Sequence, residues 1–144
     1  MPGESRPTTG HRNLSHGVDV IIEAWAPSIA ACIAEAVAAL VDTFVNTSEA
    51  RETVDYPFRL AVDTPEAALV TVLEEVLYIL DMSGQAPVAT TISSVEAGLV
   101  SGSFTLADVM DRELTGGVPK GISPSGLVLL EDGVQWTCQF IVDV

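Results

Sequence analysis

Val134-Gln135-Trp136-Thr137-Cys138-Gln139-Phe140-Ile141-Val142-Asp143-Val144 is the stretch on which the fold turns. Apolar and polar side chains alternate along it, as in a strand with one face on a core and the other toward water. Leu127 to Leu130 precedes it, with Glu131-Asp132-Gly133 between, and Asp-Gly between alternating runs is a strong hairpin signal. The reading is a terminal hairpin whose second strand runs to the end of the sequence. Ends of chains normally fray. A strand committed to its sheet as far as Asp143 and Val144 would instead hold the Asp143 carboxylate beside the α-carboxylate. Two carboxylates in fixed proximity repel unless a proton or a cation lies between them.

Working back toward the N-terminus, Val18 to Trp25 reads as a strand rich in Val and Ile. Pro27-Ser28 then starts a helix in which Ile29, Cys32, Ile33, Ala36, Val37, Leu40, Val41 and Phe44 follow helical spacing. Thr53 to Val62 alternates again, and Pro57 within it marks an edge strand. Thr64-Pro65-Glu66 starts a second helix, with an N-cap residue, a proline at the first helical position and an acid in the first turn. That helix is expected to reach about Asp81, stopping before Ser83-Gly84. Strands follow near 87–95 and 99–106, then an irregular stretch from Ala107 to Ser125 that is long for a plain connection. The predicted class is α+β: a mostly antiparallel sheet with two α-helices packed on one face.

A chain of 144 residues with 48% hydrophobic composition and a mean hydropathy of +0.39 makes one domain with a sizeable core. We expect a disordered polar tail over residues 1–10 and a single domain over 11–144. Twenty acidic against six basic residues give a formal charge of −14. Such a surface repels phosphate backbones, whose recognition depends on Lys and Arg, so tight direct binding of nucleic acid is not expected. A basic protein or a divalent cation fits better. The tail lacks the apolar core of a signal peptide. The apolar stretch from Ile29 to Val45 carries Glu35 and Asp42 and is too short to span a bilayer. The expectation is a soluble, cytoplasmic protein with no membrane contact. Cys32 and Cys138 form neither a disulfide framework nor a zinc spacing, and both fall on core-facing positions.

Three groups of residues could carry chemistry. The first is His11-Arg12-Asn13-Leu14-Ser15-His16-Gly17-Val18-Asp19-Val20. His16 and Asp19, three apart across a turn into a strand, can converge on one ligand, although the same residue types also make turn and capping hydrogen bonds. First and last strands of a small sheet are often neighbours. Asp19, Asp143 and the Val144 carboxylate would then form an oxygen-rich cluster suited to Ca²⁺ or Mg²⁺ rather than zinc. The second group is Leu73-Glu74-Glu75-Val76-Leu77-Tyr78-Ile79-Leu80-Asp81. Its acids suit a solvated helix face, but Asp81 near a helix C-terminus opposes the macrodipole. The third is Gly117-Val118-Pro119-Lys120-Gly121, in which Lys120 is, with Arg112, one of two basic residues after Arg59. No nucleophile elbow, phosphate loop, dinucleotide fingerprint or zinc-protease helix is present, and Ser123 and Ser125 have no evident base.

His16-Gly17-Val18-Asp19-Val20, the Leu73–Asp81 motif, Lys120 ahead of Gly126-Leu127-Val128, and the ending Ile141-Val142-Asp143-Val144 together resemble the archease family. The resemblance spans about residues 11 to 144. It implies a small α+β accessory protein, not itself an enzyme, that activates an RtcB-type RNA ligase. Such activators promote ligase guanylylation and multiple turnover in tRNA splicing and RNA repair. It also implies a metal site at Asp19, Asp143 and Val144, supported by His16, Asp81 and Lys120, with the ligase as protein partner. The chain departs from the family's usual pattern at Gly17-Val18, at Thr71 and at Ser123-Pro124-Ser125. Rival readings are a divalent-metal hydrolase built on the same carboxylates and a chaperone-like protein-binding module without metal dependence.

Overall fold

Two serine/threonine caps fix where the helices begin. Ser28, in extended conformation, accepts the Ala31 N–H on its side chain at 3.1 Å and opens α1 (Ile29–Asp42). Thr64 does the same for Ala67 at 3.0 Å and opens α2 (Pro65–Ser83), with Pro65 in the first turn. Each cap satisfies a donor that the helix itself leaves without a partner. The expected stripe of α1 is buried from Cys32 to Val41. α2 passes its expected end at Asp81 and stops at Gly84, whose φ of +69° is the left-handed cap and whose N–H donates to the Leu80 carbonyl at 2.9 Å.

The computed structural model describes residues 7–15, 19–48, 52–96 and 98–144. Its strands are β1 (Gly10–Asn13), β2 (Val20–Ala26), β3 (Val54–Ala61), β4 (Gln85–Glu96), β5 (Leu99–Asp108), β6 (Gly121–Ile122), β7 (Val128–Asp132) and β8 (Gln135–Asp143). They divide into two antiparallel sheets rather than one. The first runs β1-β2-β8-β6, with β7 also on β8; the second runs β3-β5-β4. The α+β class stands. β3 is an edge strand, as Pro57 requires, because it pairs only with β5. α1 rests on β2 and β4, and α2 on β4 and β6, so the helices tie the sheets together. Phe44, Phe104 and Phe140 are the largest fully buried side chains of the common core. Phe58 and Phe104 pack with ring centroids 4.6 Å apart. Cys32 and Cys138 are buried and free, as their positions suggested.

The terminal hairpin forms, with its turn one residue later than Asp132-Gly133. Asp132 pairs with Gln135, leaving Gly133-Val134 as the two-residue loop, and Gly133 has a φ of +61°. Glycine at the first central position is the type II′ pattern, which matches the twist of the flanking strands. Two short strands lie where none was expected. β6 interrupts the stretch from Ala107 to Ser125, and β1 begins at Gly10, inside the expected tail. That tail therefore needs correcting. Residues 1–6 fall outside the described residues, but the Pro7 carbonyl accepts the Trp25 indole N–H at 2.8 Å and Gly10 pairs with Trp25. No described helix is long and apolar enough to cross a membrane.

Candidate functional site

The far end of β8 is built from four chain segments. β8 pairs with β2 through Val142 and Val20. Asp19 is exposed and stands immediately before β2, one residue beyond the Val20–Val142 pair, which puts it at the same end of the sheet as Asp143. On its other side β8 pairs with β6, Ile122 facing Val142 and Gly121 facing Asp143. The Lys120 N–H donates to the Asp143 carbonyl at 2.7 Å, and the Ser123 N–H to the Ile141 carbonyl at 2.9 Å. The last strand is thus held on both sides as far as Val142, and at Asp143 by β6. Val144 is half exposed and lies against Gly117, where an added Cβ would come within 3.1 Å of the valine Cβ.

The pleat decides which way these side chains point. Cys138, Phe140 and Val142 are buried, so Asp143 projects from the opposite, outer face. Among the described residues the ion pairs join His11 to Glu35 and Asp42 and Arg12 to Glu23; neither Asp19 nor Asp143 takes part. Gly121 leaves open the space beside Asp143, since a Cβ there would stand 3.8 Å from Asp143 Oδ2. Two anionic oxygen groups next to an open position fit a hard divalent cation. Among the described residues no three His, Cys, Asp or Glu side chains are gathered to hold a metal, so a cation at this end would need main-chain or water oxygens as well.

Lys120 and Asp81 belong to a second, adjoining group. One residue before Gly121, Lys120 lies on the helix side of β6. There it lines a groove of about 570 Å³ with Glu74, Tyr78 and Asp81 of α2. The sequence-named residues therefore form two neighbouring sets, Asp19 with Asp143 and Val144 at the end of the sheet, Asp81 with Lys120 in the groove. His16 lies outside the described residues.

Two arrangements went unread in the sequence. His11 is not free to serve the cluster at Asp19. Its Nδ1 meets Glu35 and its Nε2 meets Asp42 at 2.8 Å, clamping β1 to α1. Burial works to lower the His11 pKa, but its hydrogen bonds to the Glu35 and Asp42 carboxylates, with their charge, outweigh burial and raise the value above 6.5. Glu35 and Asp42, seven apart on one side of α1, were the available signal. Tyr56 Oη donates to Glu75 Oε2 at 2.6 Å, which removes Glu75 from the acidic face of α2 and raises the tyrosine pKa.

The profile of the Archease protein family (MTH1598/TM1083) matches residues 11–144. A protein described as "Probable protein archease" from Mycobacterium tuberculosis (strain CDC 1551 / Oshkosh) is 35% identical over 142 residues, covering 99% of this chain and 79% of its own length. Its counterpart in strain ATCC 25618 / H37Rv matches equally. Among solved structures, protein 1598 of Methanobacterium thermoautotrophicum superposes with a TM-score of 0.75 at 13% identity, covering 94% of this chain and 99% of that one. An archease from Thermotoga maritima, described as a possible chaperone, superposes at 0.65 with 16% identity, covering 92% and 96%. These two likenesses bear on the fold alone. The profile match over nearly the whole length, together with the M. tuberculosis relatives, shows that this chain belongs to the archease family.

Proposed function

We propose that this protein is a cation-binding accessory factor that activates an RtcB-type RNA ligase, with no active site of its own. The observation that carries the reading is that Asp19 and Asp143 stand at the same end of the β2–β8 pair, each one residue beyond Val20 and Val142, with Gly121 beside Asp143. We assign the main-chain carboxylate of Val144 as the third donor, and Ca²⁺ or Mg²⁺ as the ion. A bound divalent ion supplies positive charge at the surface offered to the ligase. The residues themselves hold the strand end: β6 pairs with Asp143 through Gly121, and the Lys120 N–H fixes the Asp143 carbonyl. Lys120, the basic member of the adjoining groove, would be the contact for an anionic group. The charge of −14 suits docking on a basic RNA-binding enzyme without competition for its RNA.

The test is guanylylation of the ligase from the same genome, measured with and without this protein. Wild type should accelerate guanylylation and permit multiple turnover, and Asp143→Ala should remove most of that gain. Equal rates with and without the protein would sink the reading. A chaperone-like module is the second reading, in keeping with the words used for the T. maritima relative and favoured here by exposed Tyr78 and Met82 on α2. It predicts activity indifferent to chelator, whereas the activator is silenced by it.

A further inference from the structure

α2 buries Val72, Leu73, Val76, Ile79 and Leu80 in the core, yet leaves Tyr78 58% and Met82 66% exposed one turn apart on its outer side. Beside Tyr78 the 570 Å³ groove adjoins a second hollow of about 290 Å³. The two share Leu77, Asp81, Val118 and Pro119. Met110, 47% exposed, stands at the far end against Gly84. The result is a trough along the C-terminal half of α2, apolar at Leu77, Val118 and Pro119 and charged at Glu74, Asp81 and Lys120. Scattered apolar residues on a surface need no explanation, but here Tyr78 and Met110 line a concavity, with Met82 exposed one turn beyond Tyr78. Tyrosine is a common interface anchor, and methionine repacks readily around a partner.

Charge decides the occupant. Glu74 and Asp81 lie four before and three after Tyr78, on the same side of the helix. Lys120 is the basic residue that lines the trough, in a chain of net charge −14. We propose that this trough is a docking surface for a protein segment in which an apolar side chain is flanked by arginine or lysine. Resting on the activator reading above, we assign that segment to the ligase. The apolar side chain enters over Leu77, Val118 and Pro119, and its basic neighbours meet Glu74 and Asp81. Glu74, Tyr78 and Met82 belong to α2, whereas Asp143 belongs to β8 and neighbours the trough at Gly121, so affinity and cation binding are changed through different residues.

The experiment is a binding titration of the full chain against the ligase of the same genome, with calcium calorimetry on each variant. The double variant Tyr78→Ala/Met82→Ala should weaken ligase binding about 10-fold or more, and Glu74→Lys, which leaves the apolar wall intact, should weaken it in the same direction. Both should keep the wild-type melting temperature, since the substituted side chains are exposed, and the wild-type calcium heat. Ligase affinity within twofold of wild type in both variants overturns the docking surface and leaves the activator reading standing. A wild-type protein that does not bind the ligase at all overturns both.

Discussion

His11 joins a strand to a helix through its charge. Because its folded-state pKa is raised above 6.5, protonation favours the folded form. The stabilisation is fully present below the unfolded value and is lost as pH rises through the raised one. Denaturant midpoints of the wild type should therefore fall on going from about pH 6 to about pH 8. His11→Gln should flatten that slope and cost about 1 kcal/mol at the acid end. An unchanged slope in the variant would show that the clamp contributes nothing. Gly84 offers a second test at this scale. Its φ of +69° disfavours any side chain, and an added Cβ would meet Met110 Cγ at 3.1 Å. Gly84→Ala should lower stability by about 1–2 kcal/mol, seen as a lower midpoint with unchanged denaturant slope.

At the scale of elements, β5 is the strand most sensitive to an added atom. A Cβ at Gly102 would come 2.2 Å from the Thr91 carbonyl, where β4 bulges between Ile92 and Ser94. Backbone cannot yield as a side chain can, so Gly102→Ala should cost about 2 kcal/mol or more, while Gly98→Ala, with open space but φ of +88°, should cost less. Most elements were legible in advance because they announce themselves locally. Ser28 and Thr64 cap the helices they precede, α1 holds an unbroken helical stripe, and β8 alternates from Gln135 to Asp143. β1 and β6 were not legible, since strands of four and two residues are too short to show a period, and partner strands distant in sequence set them. The division into two sheets was hidden for the same reason. Alternation tells which face of a strand is buried, not which strand lies beside it.

At the scale of the whole molecule, topology gathers residues that the sequence separates. Asp19 and Asp143 come from opposite ends of the domain and reach the same end of the sheet because β2 and β8 are neighbours. The sequence suggested that placement from the alternation of the last strand and from a resemblance. It did not suggest that Lys120 and Asp81 come together in the trough beside α2. Single motifs carry no pleat information until their strand partners are known. With a net charge of −14, attraction to a basic partner should be screened by salt. Ligase association should slow several-fold between low and physiological ionic strength, and a rate indifferent to salt would contradict electrostatic docking. The central claim concerns the cation, and a thermal melt of chelator-treated protein with and without Ca²⁺ or Mg²⁺ tests it most directly. At a hundredfold excess over the dissociation constant, the ion should add about 2.7 kcal/mol, a rise of roughly 5–10 °C, and Asp143→Asn should abolish the rise. No shift with either ion, or an equal shift in Asp143→Asn, would contradict a cation site at the end of β2 and β8.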